Sequence, residues 1–300
     1  MTDVLVLGDA IVDAVFAGLD RYPDRGEELV APSFELRPGG SAGYASLGLA
    51  ALGSRPAAVT YVGDDVLSTH WRTFLDARGV DTSRVVEQPD ATVSVAAGFL
   101  FDSDRSFVTH RGAMRDGAVP AVTPDGFDAL FVAGLSQAPY LWGDDVVAVA
   151  REFAARGRPV FLDTNWSPGD WLSTAEALLP HVETLFANDA EARRLSGCDD
   201  LSDAAETLVA DGASACVVKA GDRGCLVAND RSETTWVETE PVASVDACGA
   251  GDFFDAGFIH ARLAGADRPA AAAVANRCAR AAITNFELRA KLGAIADLSE

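Results

Sequence analysis

Short, unbroken apolar runs punctuate the chain at residues 4–7, 57–62, 129–133, 159–162, 184–187 and 215–218, with longer stretches of mixed character between them. The runs are rich in Val, Leu and Phe and do not alternate with polar residues, as expected of strands buried on both faces of a parallel sheet. Helical spacing covers residues 43–52, 67–78, 144–156, 201–211 and 269–285, and the last of these has Asp267 placed to cap it and Pro269 in its first turn. Alternating strands and helices predict an α/β fold, a three-layer α/β/α sandwich with a mostly parallel central sheet. Two regions break the rhythm. Residues 30–37, and 92–101 with 106–111, read as extended strands around a polar turn at Asp102-Ser103-Asp104-Arg105, and predict a small separate sheet.

The chain has 300 residues, 49% of them hydrophobic, enough for one large domain with a small appendage. No apolar run approaches the ~20 residues of a membrane-spanning helix, and the first residues lead straight into a strand, so the expectation is a soluble cytoplasmic protein. A net charge of −21 makes nucleic acid and anionic membranes poor partners, since binding them needs positive charge. The only lysines are Lys219 and Lys291. Five cysteines without a Cys-x-x-Cys pair read as reduced thiols, and His70, His110, His181 and His260 lack metal-ligand spacing. There is no Gly-x-x-x-x-Gly-Lys-Ser/Thr loop, and no Gly-x-Gly-x-x-Gly follows the first strand.

The most informative stretch is residues 246–258, Asp-Ala-Cys-Gly-Ala-Gly-Asp-Phe-Phe-Asp-Ala-Gly-Phe. Gly249 and Gly251 let the backbone approach a ligand, and the positive end of the helix that follows favours negative charge there. Asp252 has two readings. It caps the helix, or it takes a proton from a hydroxyl that attacks a phosphate held in the glycine cradle.

The segment resembles the Asp-Thr-x-Gly-Ala-Gly-Asp signature of the ribokinase-like (PfkB-type) family of carbohydrate and nucleoside kinases. A second signature of that family is matched by Pro38-Gly39-Gly40-Ser41-Ala42-Gly43. Lesser landmarks follow in the family's order: Val62-Gly63-Asp64-Asp65, Gly79-Val80-Asp81-Thr82-Ser83, Arg111-Gly112-Ala113, Asp163-Thr164-Asn165, Asn188-Asp189-Ala190-Glu191-Ala192 and Lys219-Ala220-Gly221-Asp222-Arg223-Gly224. The resemblance covers residues 4 to about 285. It implies one kinase domain over 1–300, with a β lid formed by roughly 11–37 and 92–112 whose outer face serves a homodimer.

The resemblance also assigns roles. Asp252 is implied as general base, with the amides around Gly249, Ala250 and Gly251 stabilising the transferred phosphoryl group. Asp13, Gly39, Gly40 and Asn165 match acceptor-binding positions. Asn188 and Glu191 match the motif that organises Mg²⁺ and phosphates, mainly through water. Lys219, Gly221 and Gly224 match the turn lining the nucleotide, and Asn276 falls near the adenine. Lys219 also reads as a solvated charge at a strand end.

Departures matter too. Tyr44 replaces the family's usual Asn, and either stacks on the acceptor or fills space. The segment Asp163 to Trp171 is similar to fructokinase-like and 2-keto-3-deoxygluconate-kinase-like members, but Ser167 replaces their Arg, which argues against a carboxylate-bearing acceptor. Asp246 and Cys248 fall where some relatives bind a monovalent cation, while residues 285–289 displace the second loop of that site, leaving K⁺ in doubt. The resulting expectation is an ATP- and Mg²⁺-dependent kinase of a small neutral sugar. A nucleoside kinase and a catalytically silent sugar- or nucleotide-binding regulator are the alternatives.

Overall fold

A computed structural model describes residues 1–101, 105–114, 117–229 and 233–299. In chain order its strands are β1 (Asp3–Gly8), β2 (Ile11–Leu19), β3 (Ser33–Gly39), β4 (Arg55–Val59), β5 (Tyr61–Gly63), β6 (Val86–Gln88), β7 (Ser94–Phe101), β8 (Arg105–His110), β9 (Ala129–Ala133), β10 (Val160–Asp163), β11 (Thr184–Asn188), β12 (Ala215–Lys219), β13 (Cys225–Asn229) and β14 (Thr234–Val237). The helices are α1 (Ser41–Ala51), α2 (Val66–Asp76), α3 (Asp144–Ala155), α4 (Leu172–Leu178), α5 (Asp189–Ser196), α6 (Leu201–Ala210), α7 (Ala250–Leu263), α8 (Arg268–Ile283) and α9 (Leu288–Ala296).

Eight strands form the central sheet in the order β14-β13-β12-β11-β10-β9-β1-β4. The pairs from β12 to β4 are parallel, and β13 and β14 close one edge antiparallel. The apolar runs bury both faces because successive side chains point to opposite sides. Leu5, Leu7, Leu130, Val132 and Leu162 join a core with α3, α4 and α6. Val4, Val6, Phe131, Phe161 and Phe186 join the opposite core with α1, α7 and α8. Phe186 packs edge-on against Phe254 and Phe258, fixing α7 against the sheet. The expected three layers are present.

The second sheet has the order β3-β2-β7-β8. Its inner face presents Asp13, Val15 and Arg37. Its outer face presents Phe34, Leu36 and Val108, all exposed, beside Phe16 and Phe99, whose rings stack at 5.9 Å between centroids. Residues 102–104 of the expected polar turn lie outside the described residues.

Several boundaries differ from the sequence reading for physical reasons. The run 57–62 divides, since only β4 pairs in the main sheet while β5 leaves it to pair with β6. The extended segment read from residue 30 begins at Ser33, three residues after Val30, which is fully solvated. Helices α4, α5 and α9 escape the sequence reading because they are seven to nine residues long, and so carry about two turns of pattern. Asp267 does cap α8, accepting from the Ala270 amide at 2.9 Å.

Candidate active site

The site is assembled at the carboxyl ends of β1, β10, β11 and β12, together with the start of α7, the usual location for ligands of an open parallel sheet. Helix α7 begins without a side-chain cap. Its N-cap is Gly249, whose φ of +76° suits glycine, and a Cβ there would stand 3.1 Å from the Tyr44 ring. Among the described residues the amides of Gly249, Gly251 and Asp252 have no protein acceptor, whereas Ala250 donates to the Ala247 carbonyl at 3.2 Å. The cradle therefore comprises Gly249, Gly251 and Asp252. Ala250, expected among its donors, is taken up by the turn.

Lys219 ends β12, with its ammonium 3.3 Å from where a Gly251 Cβ would stand. It is held by Asp163 at 2.6 Å and by both oxygens of Asp255 at 3.2 Å. The strand-end solvated reading fails, because this side chain is only 16% exposed. Burial works against its charge, but Asp163, Asp255 and Glu191 hold its pKa well above the ordinary lysine value. Asp255 is a site residue that the sequence reading misses. It lies three positions after Asp252 on the same helix face, and that spacing is the available signal.

Asp252 is half-buried beside the cradle, and burial, reinforced by Asp163, pushes its pKa to about 7 against the pull of Lys219. Asp9, also missed from sequence, follows the first strand fully buried and accepts from the Ser41 amide at 2.8 Å. Burial and Asp252 raise its pKa to about 8. Gly40 is obligatory beside it: φ is +79°, and a Cβ would strike the Asp9 carbonyl at 2.5 Å.

Asp13 accepts from the Tyr44 hydroxyl at 2.6 Å. Tyr44 is 4% exposed and packs against Phe253 with ring centroids 5.7 Å apart, so it fills space and orients Asp13 rather than offering a free stacking face. Burial sets the Asp13 pKa near 6 despite that hydrogen bond and the positive charge of Arg37. Gly39 is required here, since its Cβ would meet Asp13 Oδ2 at 2.4 Å. Asn165, with φ of +50°, donates to the Ser41 hydroxyl at 3.2 Å and is anchored by its amide on Asp163 at 2.7 Å. A guanidinium does stand where the sequence argument counted one as lost, because Arg111, directly after β8, reaches across to donate to Ser167 Oγ.

Asn188 and Glu191 form a reciprocal capping box on α5: Asn188 Oδ1 accepts from the Glu191 amide at 2.9 Å, and Glu191 accepts from the Asn188 amide at 2.8 Å. Asn188 is in register with Lys219 across β11 and β12, which puts the box beside the cradle. Burial and Asp163 raise the Glu191 pKa to about 7. Among the described residues no cluster of three or more His, Cys, Asp or Glu is arranged to hold a metal directly.

The residues expected on the nucleotide side also lie together. Gly224 has φ of +87° and approaches the Val237 carbonyl so closely that a Cβ would stand 2.1 Å from it. Asn276, on α8, donates to that same carbonyl at 3.0 Å. Gly221 opens the turn with φ of +62° and free space around it. Next to this turn lies a cavity of about 410 Å³ lined by Asp222, Arg223, Trp236, Glu238 and Thr239.

Comparison with known proteins makes the chain a sugar or nucleoside kinase. The model of the pfkB family carbohydrate kinases matches residues 1–293, and the chain belongs to that family. It is 26% identical over 292 residues to the ribokinase of Bacillus subtilis (strain 168), covering 95% of this chain and 94% of the relative. It is 30% identical over 246 residues to the fructoselysine 6-kinase of Shigella flexneri, covering 80% and 87%. The crystal structure of adenosine kinase from Sinorhizobium meliloti superposes with a TM-score of 0.80 at 25% identity, covering 95% and 94%. The protein is an ATP-dependent kinase.

The carboxylate cluster makes stability depend on pH. A carboxyl whose folded pKa is raised binds its proton more tightly folded than unfolded, so stability falls as pH rises from the ordinary 3.8 toward the folded value. For Asp9 that window ends near pH 8. Thermal melts of the wild type should drop across pH 5 to 8, and Asp9→Asn, which keeps the acceptor oxygen, should flatten that drop and melt higher at about pH 8. Equal slopes in the two proteins would show that Asp9 is ionised throughout.

Proposed function

We propose that the enzyme transfers the γ-phosphoryl group of ATP, with Mg²⁺, to a hydroxyl of a small neutral sugar, using Asp252 as general base. The observation that carries this reading is a half-buried carboxylate with a pKa near 7 set beside three amides without protein acceptors. A group meant only to bind phosphate has no use for that carboxylate, whereas a base working near neutral pH needs that pKa. Asp252 takes the proton of the acceptor hydroxyl, whose oxygen bonds to the γ-phosphorus as the bond to the bridging oxygen of ADP breaks. The Gly249, Gly251 and Asp252 amides and the Lys219 ammonium face the charge gathering on the transferred group, at about 3 to 4 kcal/mol per donor.

Asp9 and Asp13 line the acceptor side, and Asp13, with a pKa near 6, carries the charge that repels an anionic sugar at neutral pH, which favours a neutral one. Asp13, with one oxygen on Tyr44, keeps lone pairs for sugar hydroxyls. A nucleoside is the second acceptor class, but Tyr44 offers a base no stacking face. Asn188, Lys219, Gly221, Gly224 and Asn276 line the ATP side. The Glu191 carboxylate suits Mg²⁺, since Asp163 beside it leaves negative charge for a cation to offset, and the lack of a three-ligand cluster among the described residues suits contact through water. Bound there, Mg²⁺ would neutralise charge on the ATP phosphates. Residues 1–300 act as one domain in the cytoplasm, with the lid of 11–37 and 92–112 excluding water. A second copy of the chain covers the apolar outer face of the lid, giving a homodimer.

Asp252→Asn should keep ATP affinity in calorimetric titration while lowering turnover at least ~10²-fold. The wild-type rate should climb as pH rises through about 7; a variant of undiminished rate would remove Asp252 from the chemistry. Glu191→Gln should raise the Mg²⁺ concentration at half-maximal rate, and an unmoved midpoint would place the ion elsewhere. Light scattering should give twice the chain mass, reduced to one chain by Phe34→Asp combined with Val108→Asp. A monomeric wild type would rule the lid dimer out.

A further inference from the structure

Lys291 is the second lysine of the chain, and no part of the mechanism above uses it. It lies on α9, fully buried, and its ammonium points into the loop that leads to the cradle. It donates to the Asp246 carbonyl at 2.8 Å and to the Cys248 carbonyl at 3.1 Å, and it pairs with Asp246 Oδ2 at 3.0 Å. The ammonium thus faces three oxygens, and every one belongs to residues 246–248. The other Asp246 oxygen accepts from the Cys248 amide at 2.8 Å, tying the loop into a tight turn. From the lid strand β3, the fully buried Arg37 donates to Asp246 Oδ2 and to the Phe286 carbonyl. Burial alone would push the Asp246 carboxyl up, but Lys291 and Arg37 outweigh it and hold the pKa below the ordinary value.

Two carbonyls and a carboxylate converging on one positive centre form the donor set of a monovalent cation. Here the centre is covalent, so these residues do not fit a free ion: the ammonium already occupies the point where the oxygens meet. A further consequence follows from peptide geometry. In a trans peptide the carbonyl and the next amide point opposite ways, so the Cys248 carbonyl held on Lys291 turns the Gly249 N–H away from it. That N–H is one of the three cradle amides without a protein acceptor.

We propose that Lys291 is a tethered internal cation that positions the phosphate cradle and makes the enzyme independent of monovalent cations. The proposal rests on the reading of residues 249–252 as that cradle. Lys291 acts through the loop and does not touch substrate.

The test compares wild type, Lys291→Ala and Lys291→Met in potassium, ammonium and tetramethylammonium chloride at equal ionic strength, reading melting temperature and ATP affinity as well as turnover. The wild type should give the same three values in every salt. In tetramethylammonium, Lys291→Ala should melt lower and bind ATP at least ~10-fold more weakly, the equivalent of one charge-assisted hydrogen bond. Potassium or ammonium, small enough for the vacated space, should restore most of both losses. Lys291→Met, which fills the space without charge, should show the losses without the rescue. Lys291→Ala values that are the same in all salts would overturn the proposal. So would a wild type that melts higher and binds ATP more tightly in potassium than in tetramethylammonium, a comparison that needs no variant to fold. Melting and ATP binding are read without turnover, so an error about the acceptor leaves the role of Lys291 separately testable.

Discussion

One ammonium holds the strand ends together. Lys219 lies between Asp163, which ends β10, and Asp255 on α7, so a single side chain ties the sheet to the helix that forms the cradle. Around it the carboxyls of Asp252 and Glu191 are pushed toward neutral pH by burial and by the charge of Asp163, because one positive charge cannot satisfy them all. Removing it would leave buried carboxylates unpaired, a change that typically costs about 3 to 5 kcal/mol. On the proposed reading, this surplus of negative charge would receive a cation, and the same lysine would face the phosphates that come with it.

Much of this is legible in the sequence because two kinds of signal are local. Buried parallel strands must be apolar throughout, so the six runs mark the main sheet. Positions such as Gly40, Gly224 and Gly249 have positive φ and crowded surroundings that glycine alone satisfies, so the motifs stay recognisable. What stays hidden depends on contacts far apart in the chain. Asp9 meets Ser41 across 32 residues, Lys219 meets Asp163 across 56, and Arg37 meets Asp246 across 209. Arg111 shows the same limit: position 167 reads as a lost arginine, yet the guanidinium arrives from another strand. Tyr44 leaves two readings open, and the choice depends on where Asp13 and Phe253 stand.

On the proposed reading, the start of α7 is organised for a ligand more than for its own stability. Several helices in the chain carry a side-chain cap, as Asp65 does for α2, Asp200 for α6 and Asp267 for α8. Helix α7 has Gly249 in that position, and of its first three amides only that of Ala250 has a protein acceptor among the described residues. A cap there typically contributes about 1 kcal/mol, which this helix forgoes until an anion takes the cap's place. The buried loop behind it, fixed by Lys291 and Arg37, keeps those amides aimed in the meantime.

The placement of the two lysines changes how the protein presents itself. One is 16% exposed at its side chain and the other not at all, so the positive charge on the outside is carried by arginine. Guanidinium groups do not undergo the acylation and reductive alkylation by which amines are marked. A reagent selective for lysine amines therefore meets almost no target on the closed molecule. The pace at which it modifies the chain becomes a clock for how often the protein opens around these two amines.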